Sequence, residues 1–251
     1  MNWPARLWIV RHGESAGNVA YTEAEAAGAA RIAIPGRDVD VPLSERGARQ
    51  ASAVGAWFAD QDANLQPQVI LASPYARARN TAELIRAKLR PELRDKPLIF
   101  DERLRERELG LLDAFTVHGI RAMYPEQAER REVLGKFYYR PPSGESWCDV
   151  ILRLRSALDT ISLHYAGQRV LIVTHQMVVL CFRYLIENLD ESTVLTIDRT
   201  ADVANCAITE YEARQKGDGE CLALTRYNFI DPLEHANAPI TRAPSKGGLK
   251  A

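Results

Sequence analysis

The stretch Leu7-Trp8-Ile9-Val10-Arg11-His12-Gly13-Glu14-Ser15 decides the reading of this chain. Four apolar residues rich in β-formers predict a short buried strand. The strand ends on arginine, histidine and glycine, where an open parallel sheet meets its ligand crevice. Arginine supplies a rigid fork of donors matched to an oxyanion, and a neutral imidazole beside it has a lone pair for nucleophilic attack. Gly13 is expected to permit a tight turn that brings backbone N–H groups close to the same anion. The combination points to phosphate chemistry.

Outward from this strand the segments alternate in type. Runs at 69–72, 97–100 and 169–174 predict further strands. Ser44 is a good N-cap for a helix that places Ala48, Ala51, Val54, Gly55 and Phe58 on one face. Ser73-Pro74 is expected to cap a second helix, with proline at its first position. Further helices are expected at 147–163, and from about Val178 to Glu187. Two strands at 205–211 and 221–227 are joined by the turn-forming Lys216-Gly217-Asp218-Gly219. The alternation predicts an α/β fold, a three-layer α/β/α sandwich around a mostly parallel sheet with an antiparallel edge. One domain is expected over 1–230, with 19–42 and 112–147 as insertions over the active site. Residues 231–251, with three prolines, read as a tail of little intrinsic structure.

Bulk properties exclude several classes. A formal net charge of −1 over 251 residues offers no basic excess for nucleic acid, so anion recognition must come from a local arginine cluster. No apolar run is long enough for a membrane span, and residues 1–6 lack the apolar core of a signal peptide. Cys148, Cys181, Cys206 and Cys221 show no CxxC spacing and no companion histidines, which predicts free thiols, no metal and a cytoplasmic location.

Three strand ends carry suggestive chemistry: Arg11-His12, then Ser73 with Arg77 in the next helical turn, then Thr174-His175. Parallel strands place all three on one side of the sheet. A lone histidine is more often a solvent-facing residue, and that reading is kept for His118, His164 and His235. For His12 and His175 it would require two independent coincidences.

These residues carry a resemblance. Arg11-His12-Gly13-Glu14-Ser15 with Asn18 resembles the signature of the histidine phosphatase superfamily, the phosphoglycerate-mutase-like proteins. Leu43-Ser44-Glu45-Arg46-Gly47, Ser73-Pro74-Tyr75-Ala76-Arg77-Ala78, Leu104-Arg105-Glu106 with Gly110, and Thr174-His175 are similar to its further motifs, in order. The segment from Tyr124-Pro125-Glu126 through Lys136 to Gly144-Glu145-Ser146, with His175-Gln176, resembles the fructose-2,6-bisphosphatase subgroup. Val117, Trp147 and Leu180 depart from that subgroup, and the chain carries no Walker A sequence.

The resemblance implies a metal-independent phosphatase, without cofactor, acting on a small phosphorylated metabolite such as a sugar phosphate. His12 would be the nucleophile and Glu106 the acid, selected from its charged loop only by the family spacing. Arg11, Asn18, Arg77 and a protonated His175 would hold the phosphoryl group. Arg131, Lys136 and Gln176 would contact the remainder of the substrate. A phosphoglycerate mutase and a non-catalytic phosphate-binding module are the alternatives. A small-molecule partner is expected, a homodimer is compatible with it, and neither nucleic acid nor membrane is.

Overall fold

Strand β1 (Arg6–Arg11) is interior to a six-stranded sheet, as its unbroken apolar run requires. In this computed structural model, which describes residues 2–200, 202–217 and 219–242, β1 is followed by α1 (Ala16–Ala26), α2 (Glu45–Ala59), β2 (Val69–Ala72) and α3 (Ala76–Arg86). Next come α4 (Pro91–Arg94), β3 (Ile99–Phe100), α5 (Val117–Met123), α6 (Pro125–Tyr138) and α7 (Trp147–His164). The chain continues through β4 (Arg169–Thr174), α8 (Gln176–Ile186), α9 (Glu191–Thr200), β5 (Ile208–Lys216), β6 (Gly219–Phe229) and α10 (Asp231–His235). The strand order is β3-β2-β4-β1-β5-β6. β3, β2, β4 and β1 are mutually parallel, while β5 runs antiparallel to both β1 and β6. The expected mixed α/β sheet is therefore present, antiparallel edge included.

The two faces of β1 feed two cores. Leu7 and Ile9 pack with Trp147, Leu154, Val178 and Phe182 of α7 and α8. Trp8 and Val10 pack with Val54, Phe58, Ala82 and Ile85 of α2 and α3. Alternation along one strand thus closes both outer layers. Trp147 and Leu180, which depart from the bisphosphatase pattern, are buried in the first of these cores. No helix among the described residues is long and apolar enough to cross a membrane.

Several local expectations change. Ser73 does not cap α3: the N-cap is Tyr75, without a side-chain cap bond, and Ser73 is drawn into the site described below. The run 97–100 yields only the two-residue edge strand β3, since Pro97 has no N–H for the ladder. Residues 19–42 begin inside a helix. Their first part is α1, closed by a capping box between Ser15 and Asn18. Residues 231–242 do not behave as a tail. Leu233 is fully buried, Gln50 Nε2 donates to Pro239 O at 2.7 Å, and Asn205 N donates to Thr241 O at 2.9 Å. Burial of apolar surface and long-range backbone pairing there override the proline content. The rest of the predicted tail, 243–251, lies outside the described residues.

Gly13 also serves a different purpose from the one expected. Its N–H is taken by Thr81 Oγ1 at 3.0 Å and so does not face an anion. A Cβ at Gly13 would stand 2.4 Å from Gly47 O, and one at Gly47 would stand 2.0 Å from Glu14 O. The two glycines let the turn after β1 lie backbone against backbone on the first turn of α2.

Candidate active site

The parallel register sets Arg11 beside Thr174, and Ala72 beside Val173. His12 N donates to Thr174 O at 2.8 Å and Ser73 N to Val173 O at 3.0 Å, so all three strand ends extend side by side. His12, Arg77 and His175 are brought together there, and the two imidazoles meet edge to face with centroids 5.1 Å apart. Both histidines are buried.

His12 Nδ1 lies 2.7 Å from Gly13 O. A carbonyl accepts only, so Nδ1 carries the proton and Nε2 keeps its lone pair. Among the described residues Nε2 has no hydrogen-bond partner. Burial, then Arg77 and Arg11, holds the His12 pKa well below its ordinary value, so the ring is neutral. His175 Nε2 is 2.8 Å from Ser73 Oγ, and its buried Nδ1 has no partner among the described residues. Burial first, then Arg77, His12 and Arg11, also holds this ring well below the usual histidine range. Against the expectation of a protonated His175, burial first and then the neighbouring guanidiniums favour its neutral form.

The depressed pKa values set a pH dependence of stability. Unfolding returns both histidines to about 6.5, so below that pH the unfolded chain binds more protons than the folded one. Stability is complete above pH 6.5 and is lost as pH falls from there toward the lowered folded-state values. Each histidine contributes up to about 1.4 kcal/mol per pH unit in that window. Thermal melts from pH 8 to 5 are expected to show a falling Tm below 6.5. The fall should be shallower in a His12→Asn/His175→Asn double variant, and an equal fall in both proteins would refute the assignment.

The two arginines differ in how their charge is met. Arg11 is buried, its Nη1 donates to Val203 O, and its Nε has no partner. Among the described residues no carboxylate pairs with it, and burial pushes its pKa down to about 10 despite the more distant Glu106 and Asp202. Arg77 is closed on a carboxylate of the chain. Its Nη1 donates to Asp38 Oδ1 at 3.0 Å and Asp38 O at 2.7 Å, and its Nη2 to Asp38 Oδ2 at 2.9 Å. Asp38 starts a single 3-10 turn, Asp38–Asp40, within the 19–42 segment. A phosphate that takes the Nη1/Nη2 edge of Arg77 must displace this carboxylate. Asp38→Asn is expected to lower the inhibition constant of inorganic phosphate roughly three- to tenfold, the worth of a half-exposed charge-assisted pair. An unchanged constant would mean that Asp38 stays on Arg77 when phosphate binds.

Glu106 lies in the loop between β3 and α5, near enough to Arg11 to act on its charge. Its Oε1 accepts the Arg107 N–H at 2.9 Å. Glu102 is exposed, whereas half-buried Glu108 accepts the Tyr75 hydroxyl at 2.5 Å. His118, His164 and His235 are exposed, in keeping with their bland reading.

The remaining site residues divide. Asn18 uses its Oδ1 in the Ser15 cap at 3.0 Å, and Asn205 Nδ2 also reaches that oxygen at 3.4 Å. Its own amide N–H groups have no partner among the described residues and remain available as donors. Lys136 is ion-paired through its ammonium with Asp198 in a half-buried contact. Gln176 Nε2 is likewise committed, to Asp202 Oδ1 at 2.9 Å. Arg131 has no carboxylate partner among the described residues, and burial pushes its pKa down, with Arg121 adding repulsion. Arg107 lies beside it. Burial and then Arg131 lower its pKa, and its guanidinium donates only to the carbonyls of Glu145 at 2.6 Å and Tyr139 at 3.3 Å. Ser73, Asp38, Asn205 and Arg107 were not legible as site residues. Only Ser73 had a local signal, its position at a strand end.

Neutral imidazole beside uncompensated guanidinium at the carboxyl end of a parallel sheet suits phosphoryl transfer. The chain belongs to the histidine phosphatase superfamily (branch 1), whose family model matches residues 7–225. It is 30% identical over 178 residues to 6-phosphofructo-2-kinase/fructose-2,6-bisphosphatase of Caenorhabditis elegans, covering 71% of this chain and 33% of that protein. The chain thus spans about a third of the length of that relative. It is 29% identical over 215 residues to the probable phosphoglycerate mutase GpmB of Erwinia tasmaniensis, covering 84% of this chain and 86% of that protein. Among solved structures, Bacillus stearothermophilus YhfR superposes with a TM-score of 0.71 at 27% identity, covering 91% of this chain and 98% of that one. A mycobacterial glucosyl-3-phosphoglycerate phosphatase shares the fold, with a TM-score of 0.65 at 21% identity, over 90% and 100% of the two chains.

Proposed function

We propose that this chain hydrolyses small phosphate monoesters through a phosphohistidine on His12. The observation that carries the reading is the Nδ1–H···Gly13 O bond, which leaves a neutral ring with its lone pair on Nε2. In the first step that lone pair attacks phosphorus. The ester P–O bond breaks, its electron pair goes to the leaving oxygen, and that oxygen takes the proton of Glu106. Arg11, Arg77 once freed from Asp38, and the Asn18 amide hold the phosphoryl oxygens. In the second step water, giving a proton to the Glu106 carboxylate, attacks phosphorus; the N–P bond breaks and its pair returns to Nε2.

Arg131 and Arg107 deepen the reading on the substrate side. Two neighbouring, largely buried guanidiniums without a carboxylate partner among the described residues favour a substrate carrying a second acidic group, as a bisphosphate or phosphorylated acid does. Lys136, held by Asp198, has no part in this reading. Arg131→Ala is expected to raise KM for such substrates roughly tenfold or more, the worth of a charge-assisted bond, and to leave p-nitrophenyl phosphate unaffected. Equal effects on both would remove the second anion from the proposal.

A panel of phosphate esters assayed with purified protein tests the main claim, and absence of hydrolysis across it would overturn the reading. Similarity to probable phosphoglycerate mutases over most of both chains favours one competitor. Interconversion of 3- and 2-phosphoglycerate, assayed with and without 2,3-bisphosphoglycerate, separates the two.

A further inference from the structure

The loop that carries Glu106 has two short 3-10 turns that satisfy part of its backbone internally, and the remaining polar groups around Glu106 are met from outside. Over residues 103–108 two residues supply most of those outside bonds, with Thr174 Oγ1 donating to Leu104 O at 2.8 Å as well. Arg153, on α7, donates through Nη1 to Arg103 O and through Nη2 to Glu106 O at 3.3 Å. The same guanidinium grips Glu145, with Nε to Oε1 at 2.9 Å and Nη2 to Oε2 at 3.1 Å. Glu145 in turn accepts Arg105 Nη2 at 2.7 Å and the Glu108 N–H at 3.1 Å. Its backbone closes the clamp: Glu145 N donates to Glu108 O at 2.9 Å, and Glu145 O accepts Arg107 Nε at 2.6 Å. Residues 103, 105, 106, 107 and 108 are therefore each tied to this pair, and both side chains are largely buried, 10% and 13% exposed.

We infer that Arg153 and Glu145 are positioning residues for proton transfer by Glu106: they set where its carboxyl stands relative to the leaving oxygen. The inference rests on the proposed acid role of Glu106. A general acid has to come within about 2.6–3.2 Å of the atom it protonates, and a displacement of about 1 Å costs on the order of a hundredfold. Arg153 bonds the backbone of Glu106 itself and is anchored in a rigid helix, so its fork defines the height of the loop over the sheet. Neither residue is assigned contact with substrate.

Leaving-group dependence distinguishes this role from a merely structural one. An alkyl phosphate needs a proton on its departing oxygen, whereas p-nitrophenolate departs without one. Arg153→Ala is expected to lower kcat on an alkyl phosphate about a hundredfold, and on p-nitrophenyl phosphate less than about tenfold. Arg153→Lys, which keeps the charge and loses the fork, should fall between wild type and Arg153→Ala with the same selectivity. Glu145→Gln should act in the same sense. Glu106→Gln is the control and should show that selectivity at least as strongly. If Glu106→Gln discriminates between leaving groups while Arg153→Lys and Glu145→Gln lower both activities equally, the pair is structural and the inference is overturned. If Glu106→Gln itself does not discriminate, the acid reading fails and the inference falls with it. Should Arg153→Ala not fold, the two conservative variants decide the matter alone.

Discussion

Replacing His12 with alanine is expected to lower kcat on the order of 10⁴-fold or more and to abolish any acid-labile phosphoenzyme. The expectation follows from what no other group can supply. Among the described residues only His12 combines a neutral ring, a proton fixed on Nδ1 by Gly13 O, and an Nε2 without a partner. His175 is equally neutral, but its Nε2 is engaged with Ser73 Oγ and its Nδ1 is buried. Rapid quenching with a radiolabelled substrate, followed by mapping of the labelled peptide, checks the claim directly. Label on His175, or activity retained in His12→Ala, would sink the covalent mechanism as drawn.

Arg11→Met is expected to divide stability from activity. No carboxylate of the described chain pairs with this buried guanidinium, and burial has already pushed its pKa down to about 10. An uncompensated buried charge is costly to the fold, and an apolar replacement of similar length is neutral or stabilising in such places. The same fork is the one that a phosphoryl group would take without first displacing an acid, so kcat/KM should fall on the order of a thousandfold. Thermal melts should show Tm unchanged or raised without phosphate. The stabilisation that phosphate gives the wild-type protein by mass action should be lost. A variant that melts lower and still responds to phosphate would place Arg11 in the framework of the fold instead of the anion site.

Arg77 shows why these two arginines could not be told apart from their motifs. Each follows a strand end, yet one is met by the carboxylate of Asp38 from a loop 39 residues away and the other by a backbone carbonyl. The same limit explains Lys136. Its position beside Arg131 is a local fact, and its neutralisation by Asp198, 62 residues further on, is not. Arg107 looked like one charge among many in Asp101-Glu102-Arg103-Leu104-Arg105-Glu106-Arg107-Glu108, until burial and the proximity of Arg131 set it apart.

Several elements follow from local pattern alone. The strand at 169–174, the Ser44 cap and the long helix from Trp147 all have the bounds or caps that their apolar periods and capping residues implied. Three departures share one cause: Ser73, Gly13 and residues 231–242 each have a plausible local use, and a stronger long-range one displaces it.

By itself the sequence determined the alternation of β1, α2, β2, α3, α7, β4 and α8, the parallel core of the sheet, and the placing of Arg11-His12, Arg77 and His175 at strand ends on one side. Hydrophobic period and strand-end position are local properties, and parallel pairing carries them to one face. Only the tertiary structure decided the protonation states of the two histidines, the carboxylate on Arg77, and the clamp that Arg153 and Glu145 place on the Glu106 loop. Those depend on desolvation and on partners far apart in the chain, which have no period and no spacing to betray them.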